Sequence, residues 1–235
     1  MKKLMAFVLA GVLGYSPAAL AKPTAEEVVR AVDEVRNPAD SFFMKVEVAD
    51  AGNDSRNVFE VSIRGNNRTL VKTLEPARDR GRNLLMLDEE MWAYVPNIRR
   101  AVRVSLGQKL SGQAANGDIS RMRWSGDYDA VIEKEDAKVI VILLTARKKG
   151  LTYEKIRASI EPGTFHPIQA EFLSPSGKPL KLAKYAGFKP IAGRVRPTEI
   201  QIQDAVREND RSVVKVLSME PRQFPESLFN QNALR

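Results

Sequence analysis

From residue 41 onward the apolar residues recur at every second position, in short runs broken by Gly, Pro and Asn, and this period confines the fold more than any other feature. Phe42, Met44, Val46 and Val48 alternate with Phe43, Lys45 and Glu47 before a Gly52-Asn53-Asp54 turn. Phe59, Val61 and Ile63 alternate with Glu60, Ser62 and Arg64 before Gly65-Asn66-Asn67. Leu70–Leu74 reads as a third strand, Arg82–Leu87 and Met91–Val95 as a hairpin across Asp88-Glu89-Glu90, and Arg100–Leu106 as the strand after the Pro96-Asn97 turn. Further strands fit at about Tyr128–Glu133, Lys138–Thr145, Thr152–Ile160, Ile168–Leu173, Pro179–Phe188, Arg194–Gln203 and Ser212–Met219. Strands do not alternate with helices, which argues for an antiparallel sheet and against a doubly wound fold.

Ahead of the strands the period is helical. Thr24 and Glu27 have capping-box spacing, and Val28, Ala31, Val32 and Val35 form one apolar stripe, predicting a helix from Ala25 to Arg36 that Asn37-Pro38 ends. So short an amphipathic helix must lay its stripe on the sheet. Gly107 to Trp124 fits neither period, because Gly107, Gly112 and Gly117 interrupt it. A loop this long inside a compact domain is either functional, such as a lid, or poorly ordered, and both readings stay open. Pro225–Phe229 resembles a helical turn and is expected to plug one end of the sheet.

Residues 1–21 read as a cleaved signal peptide: Lys2 and Lys3, an apolar run from Leu4 to Leu13, then Pro17 and Ala19-Leu20-Ala21 as a small-residue cleavage site. The expected mature chain, 22–235, is one domain, exported to the periplasm, soluble, and not lipid-anchored because no Cys follows the cleavage site. Losing Lys2 and Lys3 lowers the formal charge from +8 to +6. That surplus suits phosphate-bearing partners or transient contact with an anionic membrane, and export argues against nucleic acid.

The absence of Cys excludes disulfides, thiol catalysis, thiolate zinc sites and iron–sulfur clusters. His166, the single His, lies between Phe165 and Pro167 at a strand entrance, where a turn or edge residue is expected rather than a general base. There is no G-x-S-x-G elbow, P-loop or dinucleotide fingerprint. The acidic clusters at 88–90 and 133–136 fall at turns, and Asn116-Gly117-Asp118 has few carboxylates near it to complete a cation site. We therefore expect no enzyme, no catalytic residues, no metal and no cofactor.

A sheet curved around one helix leaves a ligand-sized hollow. The residues expected to line it are Phe42, Met44, Val46, Phe59, Val61, Ile63, Leu85, Leu87, Trp92, Tyr94, Val102, Val104 and Trp124, although the sequence does not say which face of the Trp92–Tyr94 strand points inward. Arg99, Arg100, Arg121 and Arg123 are candidates for the rim, where guanidinium forks match phosphate or carbonyl oxygens.

Val-Lys-Thr-Leu-Glu-Pro (71–76) and Arg-Asp-Arg-Gly-Arg-Asn-Leu-Leu-Met-Leu (78–87) lead into Met-Trp-Ala-Tyr-Val-Pro-Asn-Ile-Arg-Arg (91–100). Asn116-Gly117-Asp118-Ile119, the stretch 165–172, Ser176-Gly177-Lys178, the stretch 193–198 and 225–229 follow in order. Together they resemble the outer-membrane lipoprotein-sorting proteins, relatives of the periplasmic carrier LolA. The resemblance implies a mainly β fold with few helices: a half-open, unclosed antiparallel β-barrel of about eleven strands with a helical lid over an apolar cavity. It implies a periplasmic carrier that shelters the acyl chains of a lipoprotein or lipid between inner and outer membranes, with an inner-membrane transporter as donor and an outer-membrane acceptor. Trp92, Tyr94 and Pro96 map onto the family's Trp-x-Tyr-x-Pro segment as cavity or rim residues. Where many relatives have Gly-Ser-Asp-Phe, this chain has Asn116-Gly117-Asp118-Ile119, which leaves the cargo open. The alternative is a non-catalytic accessory protein whose curved sheet docks onto an envelope or transporter complex; a filled interior would favour it.

Overall fold

The computed structural model describes residues 22–50 and 56–234; the expected signal peptide and the Gly52-Asn53-Asp54 turn lie outside the described residues. Helix α1 spans Ala25–Arg36, with the Thr24 hydroxyl accepting the Glu27 N–H at 3.3 Å and the Glu27 carboxylate accepting the Thr24 N–H at 2.8 Å. Its buried stripe is Val28, Val29, Val32 and Val35.

Strands β1 (Ser41–Asp50), β2 (Arg56–Arg64), β3 (Arg68–Glu75), β4 (Leu84–Leu87), β5 (Glu90–Val95) and β6 (Arg100–Val104) follow as a meander. A segment containing β7 (Lys109–Ser111), β8 (Ala114–Ala115) and α2 (Asn116–Ser120) leads to the second meander. This comprises β9 (Tyr128–Glu135), β10 (Ile140–Ala146), β11 (Lys155–Ile160), β12 (Pro167–Leu173) and β13 (Pro179–Ala186). A small hairpin of β14 (Lys189–Ile191) and β15 (Arg194–Arg196) precedes β16 (Glu199–Asp204) and β17 (Arg211–Pro221). The main sheet has 13 strands in the order β6-β5-β4-β3-β2-β1-β17-β16-β13-β12-β11-β10-β9, and every neighbouring pair is antiparallel. Strands β6 and β9 are its edges, so the barrel is unclosed. Register shifts at Lys45/Val46, Val58/Phe59, Val141/Ile142 and Ser159/Ile160 add the local bending a sheet this wide needs. The predicted strand 194–203 is two strands because Pro197, which has no N–H to donate, separates them.

This order explains the Gly-rich stretch. Strands β6 and β9 follow one another in the chain yet occupy opposite edges, so residues 105–127 must cross the whole sheet. They cross on the face that carries α1, here the inner face, where Leu106, Ala114, Ile119, Met122 and Trp124 pack in one core with Phe42, Met44, Phe59 and Val61. The crossing segment is therefore ordered, with strands and a helix of its own, and is largely buried from Gly112 to Trp124. Gly112 and Gly117 make the close approach achievable. A Cβ on Gly112 would fall 1.8 Å from Asp50 Oδ1, and one on Gly117 would fall 1.8 Å from the Thr152 hydroxyl.

The tail after β17 does not plug an end of the sheet. Phe229 and Leu234 pack with Leu70 and Leu85 on the outer face, joined by Phe224, Leu228, Trp92 and Tyr94, and the Leu234 carbonyl accepts from Asn83 at 3.1 Å.

Candidate functional site

The crossing segment and the inner face enclose two spaces. A crevice of about 40 Å³ lies between the second meander and the end of α1, and Arg36, Trp124, Tyr128, Tyr153, Phe172 and Tyr185 line it. An open groove of about 400 Å³ lies against the first meander, with Phe59, Leu84, Ala93, Val104 and Leu110 among its walls. Asn116 faces the groove while Gly117 and Asp118 face the crevice, so α2 is the partition between them.

Polar bonds fix this partition. Ser120 O accepts from the Thr69 hydroxyl at 2.7 Å, Ser105 O from Asn116 Nδ2 at 2.9 Å, and the Asp118 carboxylate from the Ala115 N–H at 2.8 Å and the Tyr153 hydroxyl at 3.1 Å. Burial pushes the Asp118 carboxyl above its usual range, against the opposing effects of Lys181 and these hydrogen bonds. Burial likewise raises Tyr153, with Asp118 adding to the shift, and raises Tyr185. Tyr153 stacks on Phe172 with centroids 3.9 Å apart, and the Tyr128 hydroxyl donates to the Tyr153 carbonyl at 3.0 Å. The crevice is thus walled largely by aromatic rings, with Asp118, Tyr128 and Tyr153 paired and one nitrogen each of Arg36 and Arg123 buried without a hydrogen-bond partner.

The residues expected in one cavity divide between two faces. Phe42, Met44, Val46, Phe59, Val61, Ile63 and Trp124 are buried in the inner core, and Val104 packs against it. Val102 shares the inner-face parity of Val104, at edge strand β6, and is 37% exposed. Leu85, Leu87 and Trp92 belong instead to the outer-face cluster under the C-terminal tail, Tyr94 packs against that cluster and also borders the groove, and the inner positions of β4 and β5 are Leu84, Met86, Met91 and Ala93. Both strands are apolar on both faces, so alternation carries no information there.

Among the candidate rim arginines, Arg99 and Arg100 are exposed and line neither space. Arg121 is a buried structural ion pair: Nε and Nη2 donate to Asp127 at 2.6 and 2.7 Å, and Nη1 donates to the Asp88 carbonyl at 2.7 Å. Arg123 reaches the Ala39 carbonyl at 3.0 Å and Asp40 at 2.6 Å. His166 stacks on Phe188 at 4.5 Å beside Glu161, away from the crevice lining.

The sequence reading overlooked Arg36, which stands over the Trp124 ring at 4.2 Å, and the tyrosines 128, 153 and 185. Arg36 had a signal: it continues the Val28, Val32 stripe at the next i+4 position, which places it on the buried side.

Comparison with known proteins agrees with this architecture. A family described as an uncharacterized protein matches residues 65–235. No curated protein matches the chain. A LolA superfamily protein from Nitrosomonas europaea is 33% identical and superposes with a TM-score of 0.84, over 90% of this chain and 100% of that one. A DUF1329 family protein from Desulfovibrio piger (16% identity, TM-score 0.75, 90% of this chain and 98% of that one) shares the fold. So does a domain from Vibrio parahaemolyticus described as an outer membrane lipoprotein-sorting protein (16%, 0.74, 89% and 97%). With an unclosed antiparallel sheet, a helix and crossing segment over its inner face, and a full-length relative at this identity, the chain belongs to the LolA superfamily.

Proposed function

We propose that this chain is a periplasmic carrier that shelters acyl chains of a lipoprotein or lipid against the inner face of its sheet and ferries them between inner and outer membranes. Export by the 1–21 leader, an inner-membrane donor and an outer-membrane acceptor are parts of that reading. The observation that carries it is the partition: α2, five residues long, stands between a groove of about 400 Å³, with Phe59, Leu84, Val104 and Leu110 among its walls, and the aromatic crevice. Pockets that bury small molecules run to roughly 300–1,000 Å³. The groove reaches that range and the crevice does not, so an acyl chain must displace α2 to run through both. Burial returns roughly 0.8 kcal/mol per CH₂, enough for a long chain to offset the bonds that fix α2. No covalent step is involved. Among the described residues, no helix is long and apolar enough to cross a membrane.

The filled crevice favours a second reading, a docking protein of an envelope or transporter complex. Native mass spectrometry of protein purified from periplasm without detergent, with identification of released lipids, separates the two. Bound phospholipid or acylated peptide is the expected result. A clean apo mass, together with failure to take up a fluorescent acyl probe, removes the carrier reading in favour of docking.

A further inference from the structure

Arg36 ends α1 with 8% of its surface exposed. Among the described residues no acceptor takes a hydrogen bond from its guanidinium, and Nη1 is buried without a hydrogen-bond partner. Its compensation is ionic and incomplete. Asp33 Oδ1 lies 3.6 Å away, and the Asp33 carboxylate is already committed to the N–H groups of Trp124 at 3.0 Å and Ser125 at 2.8 Å. The Trp124 ring lies 4.2 Å from the guanidinium carbon and the Tyr185 ring 6.0 Å from it. These rings hold the group without using its donors.

A buried donor left unmatched costs about 1–3 kcal/mol, and more when charged. Such groups are uncommon enough in folded proteins to call for an explanation. The neighbouring cations are each held by hydrogen bonds: Asp127 takes Arg121, the Ile191, Glu34 and Val35 carbonyls take Arg196, and Asp40 and the Ala39 carbonyl take Nη2 of Arg123, whose Nε is also buried without a hydrogen-bond partner. Neither crevice carboxyl hydrogen-bonds Arg36. Asp127 is occupied by Arg121, and Asp118, on which Arg36 acts only through its charge, accepts from the Ala115 N–H and the Tyr153 hydroxyl.

We propose that Arg36 anchors the oxyanion end of a single-chain amphiphile, a carboxylate or phosphate monoester, whose chain runs past Trp124, Tyr128 and Phe172. The guanidinium fork matches two oxygens of such a group, and a crevice of only about 40 Å³, widened by displacement of α2, favours a small head on one chain over a bulkier cargo. This rests on the carrier reading and adds the end of the cargo that the protein recognises.

The test uses a Trp92→Phe background, in which Trp124, of the two tryptophans, remains as a fluorescent reporter beside Arg36. Trp92 lies on the outer face, so its replacement leaves the crevice lining intact. Dodecanoate, dodecyl phosphate and dodecanol are titrated at neutral pH. At least one oxyanion is expected to bind about tenfold more tightly than dodecanol, as one charge-assisted hydrogen bond would give, and to change Trp124 emission. The tighter of the two identifies the head group as carboxylate or phosphate. Arg36→Gln should abolish the preference while dodecanol still binds. Arg36→Lys, which keeps the charge without the fork, should retain a reduced preference, and it decides the matter if the Gln variant does not fold. Equal affinity for all three probes, or a preference undiminished in the variants, overturns the anchor and leaves the carrier standing. Binding of none of them overturns both.

Discussion

At Asp118 several influences act on one carboxyl group. Burial favours its neutral form, while Lys181, the Ala115 N–H and the Tyr153 hydroxyl favour the anion, and burial prevails. The folded protein therefore keeps this proton at a pH where the unfolded chain has released it. The native state binds more protons across the window between the ordinary carboxylate range and the raised one, so stability from this group falls as pH rises through that window. Asp118→Asn retains an acceptor for both donors and removes the titration. In urea unfolding, the variant is expected to gain on the wild type as pH rises from below the carboxylate range to neutrality. A difference constant with pH would show that Asp118 titrates alike in both states. Side chains of this kind were only partly legible in the sequence. Arg36 could be placed on the buried side by its i+4 continuation of the valine stripe, but its missing acceptors depend on Trp124 and Ser125, about ninety residues away, claiming Asp33. The Arg121–Asp127 pair has no periodic signature either, so the sequence did not show that this crevice-lining arginine is already paired.

Elements were legible wherever one face was wet. Helix α1 and strands β1 and β2 lie where their periods put them, because a polar residue at each second or third position records which side meets water. Strands β4 and β5 lack that record. The C-terminal tail covers their outer face, so Leu85 and Trp92 are as apolar as the inward Leu84 and Met91. The tail thus acts as a cover over what would otherwise be an exposed apolar strip. Phe229, 5% exposed, meets Phe224 edge-on at 6.1 Å, and Arg68 pairs with Glu226 at 2.8 Å to hold the turn down. Phe229→Ala is expected to cost about 3 kcal/mol, as buried aromatic truncations do. Truncation after Arg222 should expose Leu70, Leu85 and Trp92, read as increased binding of a hydrophobic dye and self-association by light scattering. Neither change should alter uptake of an acyl probe, because the buried residues of the covered cluster, Leu70, Leu85, Phe229 and Leu234, line neither the groove nor the crevice. Altered uptake in the Phe229 variant would mean that the outer face takes part in binding.

For the whole molecule, the decisive feature is that β16 and β17 join the two meanders in the middle of the sheet, between β1 and β13, and leave the free edges β6 and β9 far apart in the order. The connection between those edges becomes the cover of the inner face, and α1 completes it beside β9 and β15. This is also why a glycine-rich run without a period turned out to be ordered: its structure comes from the sheet it crosses. Arg196, 4% exposed, ties α1 to the β14–β15 hairpin. Nη1 donates to the Glu34 and Val35 carbonyls, each at 2.6 Å, at the end of α1, where a helix leaves carbonyls unmatched, while Nε donates to Ile191 O at 3.2 Å. Arg196→Met keeps the apolar stem and leaves those carbonyls without their donor. It is expected to lower stability by about 2 kcal/mol, measured by denaturant unfolding. If α1 and the crossing segment move to admit cargo, the same variant should take up a fluorescent acyl probe faster in stopped-flow mixing and lose it faster on dilution. A drop in stability with both rates unchanged would make α1 a fixed strut. Entry would then have to run through the groove beside β6 alone, where α2 rather than α1 is the barrier.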